Sequence, residues 1–321
     1  MCIMQIDDKE KKLIETAFIN TNEKIQKFNY ILCSISGGAD SDIMLDICSK
    51  CSNNDKIKYV FCNTGLEYEA TKRHLKWLEE KYNISIETVN AIKPIPISCR
   101  DYGVPFLSKN VSEMMYRLQL HNFKWEDKPF DVLIQEYPKC KSALEWWCNM
   151  HKQGSPFNID NNKLLKAFII ANPPTFRISN KCCDYSKKIP IKKYSIDNNI
   201  ELEITGVRKA EGGVRQQAYK SCFSEPTDKK NAKYRPIFWF LNSTKKIYEK
   251  LYNITHSDCY TKYGMTRTGC AGCPYGNNFE EELEICKQHE PKLYKALINI
   301  FGVSYDYTRK YKAFIKSHKN K

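Results

Sequence analysis

Strand-like and helix-like segments alternate through the first third of the chain, and this order leaves few architectures open. Apolar runs at Tyr30–Ile35, Ile57–Cys62 and Ile84–Val89 have the composition of buried strands. Segments from about Ser41 to Ser49 and from about Glu67 to Tyr82 lie between them and have the character of helices. The alternation predicts an α/β protein, with a parallel sheet covered by helices on both faces.

The rest of the chain extends this plan. Residues 7–27 have the apolar spacing of a helix, and the segment Ile200–Gly206 returns to strand-like character. From about 94 to 175, tryptophans, prolines and helical stretches predict a helical insertion beside the sheet. We therefore expect an α/β domain with this insertion over residues 1–215 and a mainly helical part over residues 216–321.

A glycine-containing loop lies directly between the first strand and the first helix of the sheet. Its sequence is Ser36-Gly37-Gly38-Ala39-Asp40-Ser41. Two glycines allow the backbone to approach a phosphate, and the amide groups at a helix start favour an anion. The serine hydroxyls can add donors, and Asp40 can hold a metal ion or orient the loop. An ordinary turn before a helix would use the same residue types.

A second polar element, Asn63-Thr64-Gly65-Leu66-Glu67, follows the second strand. Ligands of open α/β sheets gather at the carboxyl ends of strands, where both elements lie. A helix cap would explain the residue types of this element equally well. The pairing of the two elements favours a nucleotide site.

The chain has 15 cysteines, and two groups of them have spacings that suggest metal binding. Cys182 and Cys183 are adjacent, whereas Cys270 and Cys273 form a Cys-x-x-Cys. Neighbouring residues rarely both reach one zinc ion, but a cubane cluster offers each thiolate its own iron. We therefore prefer a [4Fe–4S] cluster to zinc or a redox dithiol. Cys222 is a fifth candidate: a cluster neighbour, a catalytic thiol or a buried free cysteine.

These motifs, in this order from about residue 28 to about residue 290, resemble the iron–sulfur members of the phosphoadenosine phosphosulfate (PAPS) reductase family, within the PP-loop superfamily. The glycine loop is similar to the SGGxDS phosphate loop, and the second polar element to NTGxE. The further matching segments are Gly103–Lys109, Lys181–Pro190, Gly206–Arg208 with Glu211 and Arg215, Pro236–Trp239, and Tyr263–Pro274.

The resemblance implies a PP-loop (HUP-like) fold that binds ATP or another adenine nucleotide, with Mg²⁺, next to a [4Fe–4S] cluster. It implies cluster ligation by Cys182, Cys183, Cys270 and Cys273, and catalytic roles for Asp40, Arg208 and Cys222. Ala39 stands where the family usually has lysine, a charge that another basic residue could supply. The implied nucleotide-binding residues are Ser36, Gly37, Gly38, Asp40, Ser41, Asn63, Thr64, Gly65, Glu67, Lys109 and Arg208.

Three functions remain open. The family's reductases attack sulfur with a cysteine in a C-terminal tail, whereas the last cysteine here is Cys286. This difference and the complete loop favour ATP-dependent, pyrophosphate-releasing sulfur chemistry. The first alternative is a true PAPS or APS reductase that uses Cys222 or the thiol of a partner protein. The second is a non-catalytic nucleotide-binding or nucleic-acid-binding iron–sulfur module.

The net charge of the chain indicates which partners to expect, and its apolar segments indicate the cellular compartment. The net charge of +14, from 51 basic and 37 acidic residues, favours an anionic partner, although a lysine-rich composition would produce it as well. We expect a nucleic-acid or other anionic acceptor, and a sulfur-donor or thiol partner protein. We see no apolar stretch of the roughly 18 residues that a membrane span needs, and no apolar signal core near Met1. We therefore expect a cytoplasmic protein.

Overall fold

A computed structural model describes residues 7–212, 219–228, 230–276 and 278–319. Arg215 and the expected domain boundary at residues 215 and 216 lie outside the described residues. The helices are α1 Asp8–Lys27, α2 Ala39–Ser49, α3 Glu69–Tyr82, α4 Ile95–Tyr102, α5 Lys109–Leu120, α6 Phe130–Glu136, α7 Lys141–Trp147, α8 Leu165–Ala171, α9 Lys181–Cys183, α10 Ile189–Asp197, α11 Asn242–Leu251, α12 Asp258–Thr261, α13 Phe279–His289 and α14 Pro291–Lys319. The strands are β1 Ile31–Ile35, β2 Ile57–Asn63, β3 Ile86–Asn90, β4 Leu202–Thr205, β5 Phe223–Ser224 and β6 Ala232–Tyr234.

The chain divides into two compact units, each built from two separate segments. One unit, which we call the sheet unit, comprises Met1–Ala91 and Lys187–Cys270. The other, the helical unit, comprises Ile92–Ser186 and Ala271–Lys321. The expected helical insertion thus shares a unit with the last part of the chain. The expected domain division itself stays a prediction.

The described strands of the sheet unit form one six-stranded sheet in the order β3-β2-β1-β4-β6-β5. Neighbouring strands are parallel, except that β5 and β6 are antiparallel. The predicted α/β class with a parallel sheet is confirmed. β3 begins at Ile86 rather than at the expected Ile84, because the Ile84 amide still donates to the Glu79 carbonyl at the end of α3.

Apolar side chains cover both faces of the central strand β1, as its sequence predicts. On one face Ile31, Cys33 and Ile35 join a core cluster that also contains buried residues of α2. On the other face Leu32 packs with Val60 of β2. Burial on both faces fixes the strand in the sheet, so its carboxyl end holds the glycine loop in a defined position.

The helical unit has its own core, built around buried aromatic side chains such as Phe106, Trp147 and Phe168. α14 contributes Tyr307 and Tyr311 to that core. The Tyr307 hydroxyl donates to the Asn172 carbonyl at 2.7 Å, and the Tyr311 hydroxyl to the Lys163 carbonyl at 2.6 Å. In the part of the chain that the structure describes, no helix is long and apolar enough to cross a membrane.

Candidate functional site

The glycine loop joins β1 to α2 through a network of short polar contacts. Gly37 has a φ of +67°, a left-handed conformation that favours glycine. The Ser36 amide donates to Ser41 Oγ at 3.1 Å, and the Gly38 carbonyl accepts from the amides of Ser41 and Asp42. α2 therefore begins at Ala39, two residues before the expected start, with Gly38 as its N-cap.

Space around Gly38 is restricted and polar. A Cβ atom there would lie 3.2 Å from Thr268 Oγ1, 3.3 Å from Ser36 Oγ and 3.4 Å from the Tyr260 hydroxyl. The Tyr260 hydroxyl accepts from the Ala39 amide at 3.1 Å and from the Thr268 amide at 3.2 Å. These hydroxyls surround the start of α2, where an anion is favoured. Thr268 belongs to the segment that precedes Cys270, whereas Tyr260 belongs to no motif that the sequence revealed.

The end of β4 approaches the same loop. A Cβ atom on Gly206 would lie 2.9 Å from the Asp40 carbonyl oxygen and 3.1 Å from the Ser41 amide nitrogen, so that glycine permits this contact. Beyond it, Arg208 Nε lies 3.0 Å from Asp40 Oδ2, and Lys245 Nζ lies 2.8 Å from Asp40 Oδ1. Each carboxylate oxygen of Asp40 therefore faces a cation.

The second polar element turns at the end of β2. Gly65 has a φ of +80°, and its amide donates to Asn63 Oδ1 at 3.0 Å. The amide and hydroxyl of Thr64 both donate to the carboxylate of Glu67, which is buried. Burial raises the pKa of Glu67, although the Thr64 hydrogen bonds and the charge of Lys187 oppose this rise.

A cavity of about 210 Å³ opens at the carboxyl ends of β1 and β2. Its wall includes residues of both polar elements, Ser36 and Glu67, together with Lys187. The remaining lining residues are Ser34, Ile35, Val60, Phe61, Cys62, Ile191 and Gly269. The expected gathering of the two polar elements at one edge of the sheet is thus found in the structure.

Two histidines, which the sequence did not single out, enclose a buried carboxylate of α2. His256 Nδ1 lies 2.8 Å and His74 Nε2 lies 3.0 Å from Asp42 Oδ2, and His256 Nε2 lies 3.0 Å from Glu249 Oε1. Burial acts to raise the pKa of Asp42, but hydrogen bonds and charges from both imidazoles hold it below its usual value. Burial acts to lower the pKa of His256, whereas hydrogen bonds and charges from Asp42 and Glu249 raise it to about 9.

Three of the expected cluster ligands belong to the helical unit, and a fourth thiol joins them. Cys182 is buried and interacts with Cys183, Cys273 and Cys99. A hydrogen bond from Cys183 lowers the pKa of Cys182, but the hydrogen bond to Cys99, burial and the charges of Cys99 and Cys273 together raise it. The Val104↔Ile178 bridge brings the end of α4 beside the segment before α9. Cys99, on α4, belongs to no cysteine motif.

The remaining cysteine candidates lie in the sheet unit. Cys62 lines the cavity; its pKa is raised to about 11 by burial, with a smaller contribution from the charge of Cys270. Cys222 packs against the core cluster that contains Ile31, Cys33 and Ile35 of β1, and its carbonyl accepts from the Arg235 amide at 2.8 Å. Among the described residues, no three His, Cys, Asp or Glu side chains converge on a position for one metal ion. The predicted ligand set therefore stays a prediction.

Lys109 is the one expected nucleotide-binding residue of the helical unit. It is exposed at the start of α5, a helix that Ser108 caps by accepting from the Val111 amide at 3.2 Å. Its predicted contact with the nucleotide, like the predicted catalytic roles of Asp40, Arg208 and Cys222, stays a prediction.

A mostly parallel sheet with a glycine loop after its central strand defines an α/β protein of the phosphate-loop type. Residues 30–103 match the family model described as the phosphoadenosine phosphosulfate reductase domain. This segment of the chain is thus similar to that domain, and the predicted α/β fold of the PP-loop, HUP-like type, with its mostly parallel sheet, is confirmed.

The chain is 26% identical over 299 residues to an uncharacterized protein of Methanocaldococcus jannaschii. This match covers 92% of the chain but 45% of that relative, so the chain spans about half the length of the curated relative it matches.

Two solved structures illustrate more distant similarity. A PAPS reductase of Candida auris, in a phosphate complex, is 10% identical with a TM-score of 0.43, over 83% of this chain and 97% of that chain. A U34-tRNA thiolase of Methanococcus maripaludis, with its [4Fe–4S] cluster, is 13% identical with a TM-score of 0.36, over 92% of this chain and 80% of that chain.

Proposed function

We propose that this chain is a PAPS-reductase-family enzyme that binds ATP at the glycine loop and transfers its adenylyl group in a sulfur-related reaction. One observation carries the proposal. The loop Ser36–Ser41, the element Asn63–Glu67 and the segment Gly206–Arg208 follow three neighbouring parallel strands and meet at one sheet edge, beside a cavity. This edge is where open α/β sheets bind ligands.

The cavity has a composition that suits an adenosine moiety. Ile35, Phe61 and Ile191 offer apolar walls for the base, whereas Glu67 and Lys187 are polar groups that can bind hydroxyls or phosphate oxygens. The start of α2 adjoins Ser36 at the cavity wall. A nucleotide bound there would place its phosphates at the helix N-terminus.

The proposed reaction is a displacement at the α-phosphorus of ATP. An acceptor oxygen forms a bond to this phosphorus, and the bond to the oxygen that bridges to the β-phosphate breaks. Pyrophosphate leaves with the electron pair, and a proton on the acceptor passes to water. The donor's sulfur, or water where no donor is present, then bonds to the activated carbon of the acceptor, the bond from this carbon to the adenylyl oxygen breaks, and AMP leaves. MgATP is the substrate form, and charge that develops on the leaving oxygens would be stabilised by the α2 amides and Arg208. We assign Asp40 the role of orienting the Arg208 guanidinium, whose Nε lies 3.0 Å from Asp40 Oδ2.

A [4Fe–4S] cluster on Cys182, Cys183, Cys270 and Cys273 is part of the proposal. The thiol is the ligand type of such clusters, and in the helical unit Cys273 acts on buried Cys182, which supports the assignment. When bound, the cluster supplies a redox-active iron–sulfur centre. The net charge of +14 supports an anionic acceptor such as a nucleic acid, and a thiol protein is the proposed sulfur donor.

Sulfonucleotide reduction is the second candidate, and one contact favours it. The Arg235 amide donates to the Cys222 carbonyl at 2.8 Å, which places Cys222 next to an arginine whose side chain is buried. In this reaction the Cys222 thiolate would bond to the sulfur of PAPS or APS, and the sulfur–oxygen bond to the nucleotide would break. An external thiol would then reduce the cysteine S-sulfonate and release sulfite.

Product analysis separates the two candidates. With ATP, Mg²⁺ and mixed nucleic acids as acceptor, the anaerobically purified protein should form AMP and pyrophosphate in equal amounts. Asp40→Ala should abolish this turnover, whereas the exposed control Asp55→Ala should retain it. Sulfite release from PAPS or APS by the reduced protein, abolished in Cys222→Ser, would instead establish the reductase reading and overturn ours.

A further inference from the structure

Six charged side chains of the sheet unit follow one another from the interior of the unit to the glycine loop. Adjacent members lie between 2.8 and 3.8 Å apart, and acidic and basic groups alternate. We call this set the charge row. Its members, in order, are Asp42, His256, Glu249, Lys245, Asp40 and Arg208.

Lys245 has hydrogen-bonding capacity that its two neighbours in the row do not use. Its ammonium group has three N–H donors, and Asp40 accepts one of them at 2.8 Å. Glu249 lies 3.8 Å away, which is beyond hydrogen-bond distance. Arg208, by contrast, also directs its guanidinium to Asn242 at 3.0 Å and to the Phe240 carbonyl at 3.5 Å.

The position of Lys245 suits an anion that binds at the start of α2. Its side chain is only 19% exposed, and an ammonium group that is partly removed from water attracts an anion more strongly than a solvated one. Its partner Asp40 is the second residue of α2. The ammonium group therefore reaches the helix turn at which the dipole also favours phosphate.

The loop itself contains no basic residue between Ser36 and Ser41, since Ala39 occupies the fourth position. We propose that Lys245, which follows the loop by more than 200 residues, supplies the side-chain cation that binds the phosphates of the nucleotide. This inference rests on the proposed function. Glu249 and His256 act as positioning residues. The imidazole of His256 holds the carboxylate of Glu249, and this carboxylate lies 3.8 Å from the Lys245 ammonium.

Calorimetric titration with ATP, AMP and adenosine tests this assignment in the full-length protein. A charge-assisted contact to phosphate predicts that Lys245→Met weakens ATP binding at least about tenfold, AMP binding less, and adenosine binding not at all. Lys245→Arg should restore most of the ATP affinity. Lys246→Met, an exposed neutralisation at the next position of α11, is the matched control and should bind all three as wild type does.

The affinities for the three ligands distinguish the ways in which this inference can fail. Unchanged ATP binding by folded Lys245→Met protein would overturn the inference while leaving the proposed function intact. An equal loss for ATP and adenosine would show a structural role and would also overturn it. A wild-type protein that binds none of the three ligands would overturn the proposed function, and this inference with it.

Discussion

The imidazole of His256 makes the stability of the sheet unit dependent on pH. It lies between the carboxylates of Asp42 and Glu249, at 2.8 and 3.0 Å, and the tilted ring of Tyr260 packs beside it, with centroids 5.6 Å apart. Burial disfavours the imidazolium, but the hydrogen bonds and charges of the two carboxylates outweigh it and raise the pKa of His256 to about 9. In the unfolded chain a histidine has its ordinary pKa of about 6.5.

The direction of the effect follows from this difference. Because the folded protein binds the proton more tightly, the stabilisation is fully present below about pH 6.5 and is lost as the pH rises through about 9. The rise in the pKa of His256 from about 6.5 to about 9 corresponds to about 3 kcal/mol in the free energy of unfolding. His256→Gln removes the titrating group, so the variant lacks this stabilisation.

Urea denaturation at several pH values measures the stabilisation that His256 contributes. The difference in unfolding free energy between wild type and His256→Gln should be about 3 kcal/mol larger at pH 6 than at pH 10. His121→Gln, which changes an exposed histidine, should follow wild type at every pH. A difference between wild type and His256→Gln that stays constant from pH 6 to pH 10 would refute the reasoning.

Three further changes probe the loop and the thiols. Gly206→Ala places a Cβ 2.9 Å from the Asp40 carbonyl oxygen and should lower the free energy of unfolding, measured in urea, by about 1–3 kcal/mol. Gly302→Ala, whose Cβ would meet no atom closer than 4.0 Å, should not lower it. Equal losses of stability in the two variants would contradict this reasoning. Cys270→Ser should lower the iron content and the melting temperature of anaerobically purified protein, whereas Cys148→Ser should change neither; stoichiometric zinc without iron in wild type would contradict the cluster. Cys222→Ser should leave AMP formation at the wild-type rate, and a large loss of AMP would assign this thiol to the reaction.

Local sequence patterns were sufficient to predict the central sheet and the loop. β1 is apolar along its length because both of its faces are buried, and the glycines of the loop mark the turn into α2. The two-residue strand Phe223–Ser224 could not be predicted, because a periodicity of two needs a longer segment to become visible.

Contacts between residues that are distant in sequence could not be predicted in the same way. Lys245 is one of 51 basic residues, and only the approach of α11 to α2 places it on Asp40. His74 and His256 meet at Asp42 through the packing of separate segments. The bridge between Val104 and Ile178 brings the segments of Cys99 and Cys182 together. The local sequence around Cys99 carries no signal for this contact.

Binding of ATP at the glycine loop is the claim on which the proposed function depends, and Gly38→Val tests it most directly. The added side chain would project among Thr268, Ser36 and Tyr260, where even a Cβ alone would lie 3.2–3.4 Å from their oxygen atoms. Calorimetric titration with MgATP should therefore show one site per chain in wild type and none in the variant, with circular dichroism confirming that both are folded. A folded Gly38→Val protein that binds MgATP with wild-type affinity would contradict the account.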